Sequence, residues 1–371
     1  MITKLFANTD QKVSSIGQGC DLISTNSSLN RYSISELEYS LETGIDLGMN
    51  FIDTAETYGD GLSEKLIGRV MKGFRQDVFI ATKVAPENSR LKDLISSCES
   101  SLVRLQTNYI DLYQVHWRNS DVPISETMEA MSLLVEQGKV KHVGVSNFSM
   151  TEIFDSCDAL NDIKLASIQM EYNLFDRSAE NTHIPFCLQN DLTLIGYSPL
   201  DKGNIVNNKN SKDTLAKIAM KHGINQAQTA LRWLISQPNV IVIPKSRSSE
   251  HLQQNAIAGE KVLPQEDIDE ISQACTSVQI TVPTRDIQVA LAEDRDVYTT
   301  LEDAINNDKG YVPSPQSLAE TMDDGILKPI RVKKLEGSKR YRYELIEGRI
   351  RYWAWIIAKG WDVPIKAIVR E

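Results

Sequence analysis

The sequence predicts an α/β protein in which a (β/α)8 barrel is followed by a smaller α/β unit. Three observations carry this prediction. Eight short β-rich runs alternate with amphipathic stretches between residue 13 and about residue 243; that many repeats favour a closed barrel, with an open doubly wound sheet as the competing arrangement. Several of the runs are almost wholly apolar, as parallel strands covered on both faces must be. Past Cys275 the composition changes, and 371 residues leave room for a second unit after a barrel of about 250 residues. The expected boundaries are 1–278 for the barrel and 279–371 for the smaller unit.

The strand candidates are Val13–Cys20, Asn50–Asp53, Val78–Val84, Tyr109–His116, Val140–Val145, Leu165–Met170, Leu192–Tyr197 and Val240–Ile243. Helical patterns lie between them at Ser35–Leu47, Ser89–Gln106, Pro123–Glu136 and Asp213–His222. Val122, Pro123, Ile124 and Ser125 before Glu126 make a helix start, and Gly138 after Gln137 makes a stop. Residues 281–327 are acid-rich and residues 328–371 basic. Within the basic stretch, strands are expected at Pro329–Lys333, Tyr341–Ile346 and Ile365–Val369, and a helix at Arg349–Lys359. No internal repeat or low-complexity segment interrupts the chain.

Composition narrows the partners. Apolar residues at 41% and charged residues at 24% are ordinary for a globular protein. A formal charge of −10 argues against nucleic acid or an anionic membrane as the partner of the whole chain. No apolar leader and no run of roughly 18 apolar residues is visible, so neither a secretory signal nor a spanning helix is expected. Five scattered cysteines form no CxxC pair. They imply reduced thiols in a cytoplasmic protein, without disulfides or a metal.

In a barrel the chemistry sits at the C-terminal ends of the strands. Three consecutive strand ends carry reactive groups here: Asp53 and Tyr58 in FIDTAETYGDG, Lys83 in VFIATKV, and His116 in DLYQVHW. Taken singly, each has an ordinary reading as a cap or a packing residue. Four of them meeting at one barrel mouth are harder to dismiss.

With those residues go FIDTAETYGDGLSEKLIG (51–68), ATKV (81–84), YIDLYQVHW (109–117), GKVKHVGVSNF (138–148), IQMEYN (168–173), GYSPL (196–200) and IPKSR (243–247). In this order and spacing, the chain resembles the aldo-keto reductase superfamily over about three quarters of its length. The resemblance implies a barrel rather than an open sheet. It implies Tyr58 as general acid, Lys83 and Asp53 as the pair that eases release of its proton, and His116 as the group that orients the carbonyl or relays the proton. It implies NADPH, with NADH possible. Ser146, Asn147 and Gln169 would hold the carboxamide, Tyr197 would stack on the nicotinamide, and Gly19 and Cys20 would lie along the cofactor. Ser198, Leu200 and Lys202 would line the pyrophosphate, Lys245, Ser246 and Arg247 the adenosine phosphate, and Gln254 and Asn255 the adenine. His251 departs from the arginine common in strongly NADPH-selective members; Arg247 would compensate. Trp117, Cys20, Leu22 and the loop Asp201–Asn210 would shape the substrate pocket.

The segments ILKPIRVKK (326–334), YRYELIEGRIRYWAWIIAKGW (341–361) and VPIKAIV (363–369) resemble, more weakly, the ParB/sulfiredoxin-like nucleotide-binding fold. That resemblance implies a phosphate site at Gly348, Arg349 and Arg351, at the N-terminus of a helix. No cysteine lies beyond Cys275, which argues against sulfiredoxin chemistry. Arg349, Ile350 and Arg351 depart from the acidic residue and paired arginines of ParB, which argues against CTP hydrolysis. In the plainer reading, Trp353, Trp355 and Trp361 pack a core.

The leading expectation is an NADPH-dependent reductase of an aldehyde or ketone, sugar-derived or phosphorylated, with an appended nucleotide- or phosphate-binding unit. Its partner would be a small carbonyl compound. One alternative is an NADPH-sensing regulatory protein whose ParB-like unit meets DNA or a partner. The other is a bifunctional reductase and small-molecule kinase with Glu344 or Glu347 as base.

Overall fold

The computed structural model describes residues 1–21, 33–206, 212–246, 248–275, 279–290, 298–320, 322, 329–336, 338 and 340–370. The chain divides into two compact units, Met1–Trp117 with Ile124–Thr276, and Arg118–Pro123 with Ser277–Glu371. Among the described residues no helix is long and apolar enough to cross a membrane.

The first unit opens with an antiparallel hairpin, β1 (Thr3–Leu5) and β2 (Lys12–Ser14). Eight strands follow: β3 (Gln18–Gly19), β4 (Phe51–Asp53), β5 (Phe79–Val84), β6 (Ile110–Val115), β7 (Val140–Ser146), β8 (Leu165–Glu171), β9 (Thr193–Tyr197) and β10 (Val240–Ile243). They lie side by side in chain order, each parallel to the next. Parallel bridges from Ile16 to Val242 and from Gly19 to Lys245 join the first strand to the last and close the barrel. Closure demands glycine: a Cβ on Gly17 would stand 2.7 Å from the Phe51 carbonyl oxygen, and one on Gly19 2.9 Å from that of Ile243.

The expected single strand Val13–Cys20 is in fact two. Its first residues pair with β1 and its last with β4, because the hairpin turns Phe6 and Val13 into the barrel floor. An apolar run records burial but not which neighbour takes its hydrogen bonds. The other seven predicted strands fall within two residues of their observed bounds.

The helices of this unit are α1 (Ile34–Asp46), α2 (Leu62–Val70), α3 (Leu91–Arg104), α4 (Ile124–Glu136), α5 (Met150–Ala159), α6 (His183–Gln189), α7 (Lys212–His222), α8 (Gln226–Ile235), α9 (Ser249–Ala258) and α10 (Gln265–Ala274). Reciprocal capping boxes start three of them: Ser33 with Glu36, Ser149 with Glu152, and Asn225 with Gln228. Gly138 follows α4 at φ +69°, the left-handed stop read from the sequence.

Side-chain alternation decides what the barrel encloses. Phe51, Phe79, Ala81, Leu112, Ile195 and Ile241 point inward and pack with Phe6 as the apolar floor. Two positions further along, the same inward face presents Asp53 on β4, Lys83 on β5 and Gln114 on β6. A floor of aromatic rings beneath a polar upper layer therefore follows from period two alone.

The second unit holds β11 (Gln279–Val282), β12 (Ile287–Gln288), α11 (Leu301–Asn306), α12 (Pro315–Glu320), β13 (Ile330–Lys334), β14 (Tyr343–Glu347), α13 (Arg349–Lys359) and β15 (Ile365–Arg370). Its mixed sheet runs β11-β15-β13-β14-β12. Val282, Ile287, Ile330, Val332, Leu345 and Ile365 form its core with Tyr352, Trp353 and Trp355. Both buried indoles keep a partner: Trp353 Nε1 donates to the Tyr298 carbonyl at 2.9 Å, and Trp355 Nε1 to that of Val363 at 3.0 Å. The acid-rich stretch supplies β12, two helices and half of β11, none of which its composition announced. β11 and β12 are four and two residues long and pair only with distant strands, so they leave almost no periodic signal.

Candidate active site

The four residues singled out at the strand ends come together. Lys83 Nζ donates to Asp53 Oδ1 at 2.6 Å and to the Thr54 carbonyl at 2.7 Å, and lies 3.5 Å from Tyr58 Oη. Lys83 is wholly buried and Asp53 nearly so. A charge this deep is tolerable because each partner neutralises the other and further hydrogen bonds complete the set. The second Asp53 oxygen accepts from Gln169 Nε2 at 2.7 Å. Tyr58 reaches the rim from a loop in which Gly59, Asp60 and Gly61 all take left-handed backbone, turning the chain into α2. His116, whose backbone N–H donates to the Val84 carbonyl at 3.1 Å, places its ring 5.8 Å from that of Tyr58 at 78°. Trp117 is exposed and stacks on His116 at 6.5 Å.

Burial pushes the Tyr58 phenol well above its ordinary value, and the charges of Asp53 and Asp21 push the same way, so Tyr58 rests as a protonated phenol. Lys83 Nζ bonds Asp53 and the Thr54 carbonyl and stands 3.5 Å from the phenol oxygen. Burial likewise raises Asp53, against the opposing charge of Lys83 and the hydrogen bonds from Lys83 and Gln169.

His116 is pushed down to about 3 by burial and then by the Lys83 charge. It is a neutral imidazole at ordinary pH, which favours orienting a carbonyl oxygen through its N–H over relaying a proton as a cation. Its folded-state pKa is depressed, so its protonation destabilises the native state as pH falls from about 6.5 towards 3. The expected result is that the His116 ring resonances, followed by NMR, do not titrate between pH 8 and about 5. A midpoint near 6.5 would contradict this environment.

The cofactor candidates fall into groups. Ser146 and Gln169 are buried at the ends of β7 and β8, and Asn147 takes left-handed backbone at φ +60°. Asn147 Nδ2 donates to Ser146 Oγ at 3.0 Å and to the His116 carbonyl at 3.3 Å, and its Oδ1 accepts from Tyr197 Oη at 2.8 Å. Strand ends β6, β7 and β9 are thereby linked, with the half-buried Tyr197 ring beside them. Ser198 and Lys202 also take left-handed backbone, and Leu200 packs on the core. Lys245 pairs with Asp21 at 2.9 Å across the barrel seam, and Ser246 Oγ donates to the Ser248 carbonyl. Asn255 is buried on α9, next to Gln254; His251 is exposed on the same helix. Gly19 lies at the seam, and Cys20, with its thiol raised by burial, is buried next to it. Arg247, Leu22 and residues 207–210 of the expected loop lie outside the described residues. Among the described residues no group of three or more His, Cys, Asp or Glu could hold a metal ion.

Sequence reasoning passed over Gln114 and Glu56. Gln114 is fully buried opposite Lys83 in the β5–β6 register, and counting two residues from Leu112 would have found it. In the C-terminal unit the expected phosphate ligands serve the backbone: Arg349 Nη1 donates to the Ile346 carbonyl and Arg351 Nη1 to that of Pro329. Glu347, one of the two candidate kinase bases, accepts from the buried Arg331 at 2.6 Å.

A family model described as the aldo/keto reductase family matches residues 16–275. The methylglyoxal reductase YeaE of Escherichia coli is 36% identical over 248 residues, 67% of this chain and 86% of that protein. The glyoxal reductase of Bacillus subtilis is 31% identical, over 64% of this chain and 83% of its own. Among solved structures, the thermostable aldo-keto reductase Tm1743, in complex with the inhibitor epalrestat, superposes with a TM-score of 0.69 at 37% identity. It covers 74% of this chain and 100% of its own. An aldo-keto reductase from Klebsiella pneumoniae in complex with NADPH gives 0.65 at 34% identity, covering 74% of this chain and 95% of its own.

Proposed function

The chain belongs to the aldo/keto reductase family, and from that premise we propose that it reduces an aldehyde to an alcohol with Tyr58 as general acid. It is an oxidoreductase of carbonyl groups, and its cofactor is NADPH. One observation carries the finer reading: a buried Lys83–Asp53 pair at 2.6 Å lies beneath a protonated Tyr58, with a neutral His116 beside it.

NADPH, when bound, supplies the hydride that attacks the carbonyl carbon. Ser146, Asn147 and Gln169 have the donors and acceptors to fit its carboxamide. Gln169 spends one N–H on Asp53 and keeps its oxygen for a ligand. Tyr197 is anchored through its hydroxyl, so its ring is pre-set as a flat wall. Lys245 and Ser246 would meet the adenosine phosphate, Lys245 after exchanging its partner Asp21. As charge grows on the carbonyl oxygen, Tyr58 Oη donates a hydrogen bond and then its proton. Lys83 stabilises the phenolate left behind, and the His116 N–H steadies the oxygen.

Relatives named for methylglyoxal and glyoxal support a small aldehyde as substrate. The test is NADPH oxidation against a panel of 2-oxoaldehydes, simple aldehydes, ketoses and sugar phosphates, with turnover expected first for 2-oxoaldehydes. Cofactor binding without turnover of any carbonyl would favour the sensor reading instead.

For the C-terminal unit the reading is a phosphate subsite at the start of α13, in keeping with the ParB/sulfiredoxin resemblance. Gly348 at φ +92° leaves that helix without a side-chain cap, and such an end attracts anions. Calorimetric titration of the full chain with ATP and CTP should show binding that Arg351→Ala weakens; absence of heat for both discards the subsite.

A further inference from the structure

Glu56 lies two residues before Tyr58, and among the described contacts its side chain touches neither the Lys83–Asp53 pair nor His116. It is nonetheless the most heavily bonded carboxylate near them. Its side chain is 10% exposed, with Arg104 Nη2 3.9 Å away. Oε1 accepts from the Ala85 N–H at 2.6 Å and from Asn88 Nδ2 at 3.0 Å. Oε2 accepts a short hydrogen bond from Ser97 Oγ on α3. The Glu56 backbone N–H donates to the Lys83 carbonyl at 3.2 Å.

These bonds tie the Tyr58 loop to the two ends of one short segment, the Lys83 carbonyl and the Ala85 N–H. Val84, between them, accepts from the His116 N–H. A second carboxylate braces the other side. Glu64 accepts from Thr82 Oγ1 at 2.6 Å and from Arg104 Nε at 2.6 Å, and Thr82 immediately precedes Lys83. Charge-assisted bonds to backbone are short and directional, so this clamp fixes the strand end more tightly than van der Waals packing would. The geometry at stake is the 3.5 Å separation of Lys83 Nζ and Tyr58 Oη, the longest hydrogen bond in the catalytic set.

We propose that Glu56 is a positioning residue for the reductase reaction, holding Tyr58 in register with Lys83 and His116. The proposal rests on Tyr58 as the general acid. Glu56→Leu removes every acceptor at similar volume. Glu56→Gln keeps one oxygen for Ala85 and Asn88 and turns an amide N–H towards Ser97 Oγ, which would then accept.

The experiment measures kcat, KM, NADPH affinity by fluorescence, and the solvent deuterium isotope effect for both variants beside Tyr58→Phe. In Glu56→Leu, kcat is expected to fall about 10- to 100-fold, as misplacement of a catalytic group by about 1 Å costs. KM and NADPH affinity should hold, and the solvent isotope effect should rise as proton transfer becomes limiting. Glu56→Gln should stay within about threefold of wild type, since it keeps most of the bonds. The proposal is overturned by a kcat within twofold of wild type in Glu56→Leu, by losses in KM and cofactor affinity at unchanged kcat, or by an unchanged isotope effect. If Glu56→Leu does not fold, the double variant Asn88→Ala, Ser97→Ala decides: a kcat loss of about fivefold or more supports the clamp, and a smaller change overturns it. Retained activity in Tyr58→Phe would instead sink the acid assignment on which the proposal rests.

Discussion

Tyr58→Phe is expected to lower kcat by about 10²–10⁴-fold while leaving NADPH affinity nearly unchanged. Among the described residues the hydroxyl's hydrogen bond is to Lys83, at 3.5 Å, so its removal breaks no strong bond. The loss should fall on chemistry. A carbonyl that receives hydride without a proton donor must develop its alkoxide charge unaided, in a site screened from water. Burial and the Asp53 charge hold the phenol protonated, so no alkaline limb from Tyr58 is expected in the wild-type rate near neutral pH. A variant that kept more than a tenth of the activity, with binding intact, would point to another donor.

Lys83→Met carries the second large effect, in activity and stability together. Lys83 is fully buried, and its ammonium satisfies Asp53 and the Thr54 carbonyl. Methionine fills similar volume but leaves the Asp53 carboxylate buried without a counter-charge, held by Gln169 and Gln114. Breaking one side of such a pair costs about 3–5 kcal/mol, read as a lower urea midpoint at unchanged slope. The fall in kcat should exceed tenfold, because the phenolate that Tyr58 becomes loses its cation. Replacing both members, Lys83→Met with Asp53→Leu, separates the two effects: stability should largely return, since an apolar pair needs no compensation, and activity should not. Recovery of activity in the double variant would mean that the pair is structural only.

The location of these residues was legible before any coordinates. Parallel strands buried on both faces gave apolar runs, and the reactive groups stood where those runs stop. Asp53, Tyr58, Lys83 and His116 were therefore placed at one rim by counting strands, and the family resemblance then gave each a role. Asn147, Gln169 and Tyr197 came from resemblance alone. The bond from Tyr197 to Asn147 spans 50 residues, and no local pattern encodes it.

Other features required the fold. The run Val13–Cys20 reads as one strand, yet its bonds go to β1 at one end and β4 at the other. The arginines beside Gly348 read as phosphate ligands, and only the fold shows that each also spends one N–H on a backbone carbonyl, Ile346 and Pro329. Glu56 drew no reading from the sequence, and only the approach of Ala85, Asn88 and Ser97 shows how fully its carboxylate is bonded.

The sequence by itself determined the alternation of elements, the barrel and the identity of the reactive side chains, because periodicity and strand ends are local properties of a chain. Only the tertiary structure decided which groups are charged, which are spent on their neighbours and how far apart they stand. Burial and pairing set those quantities, and both depend on residues distant in sequence that closure of the barrel brings within a few ångströms.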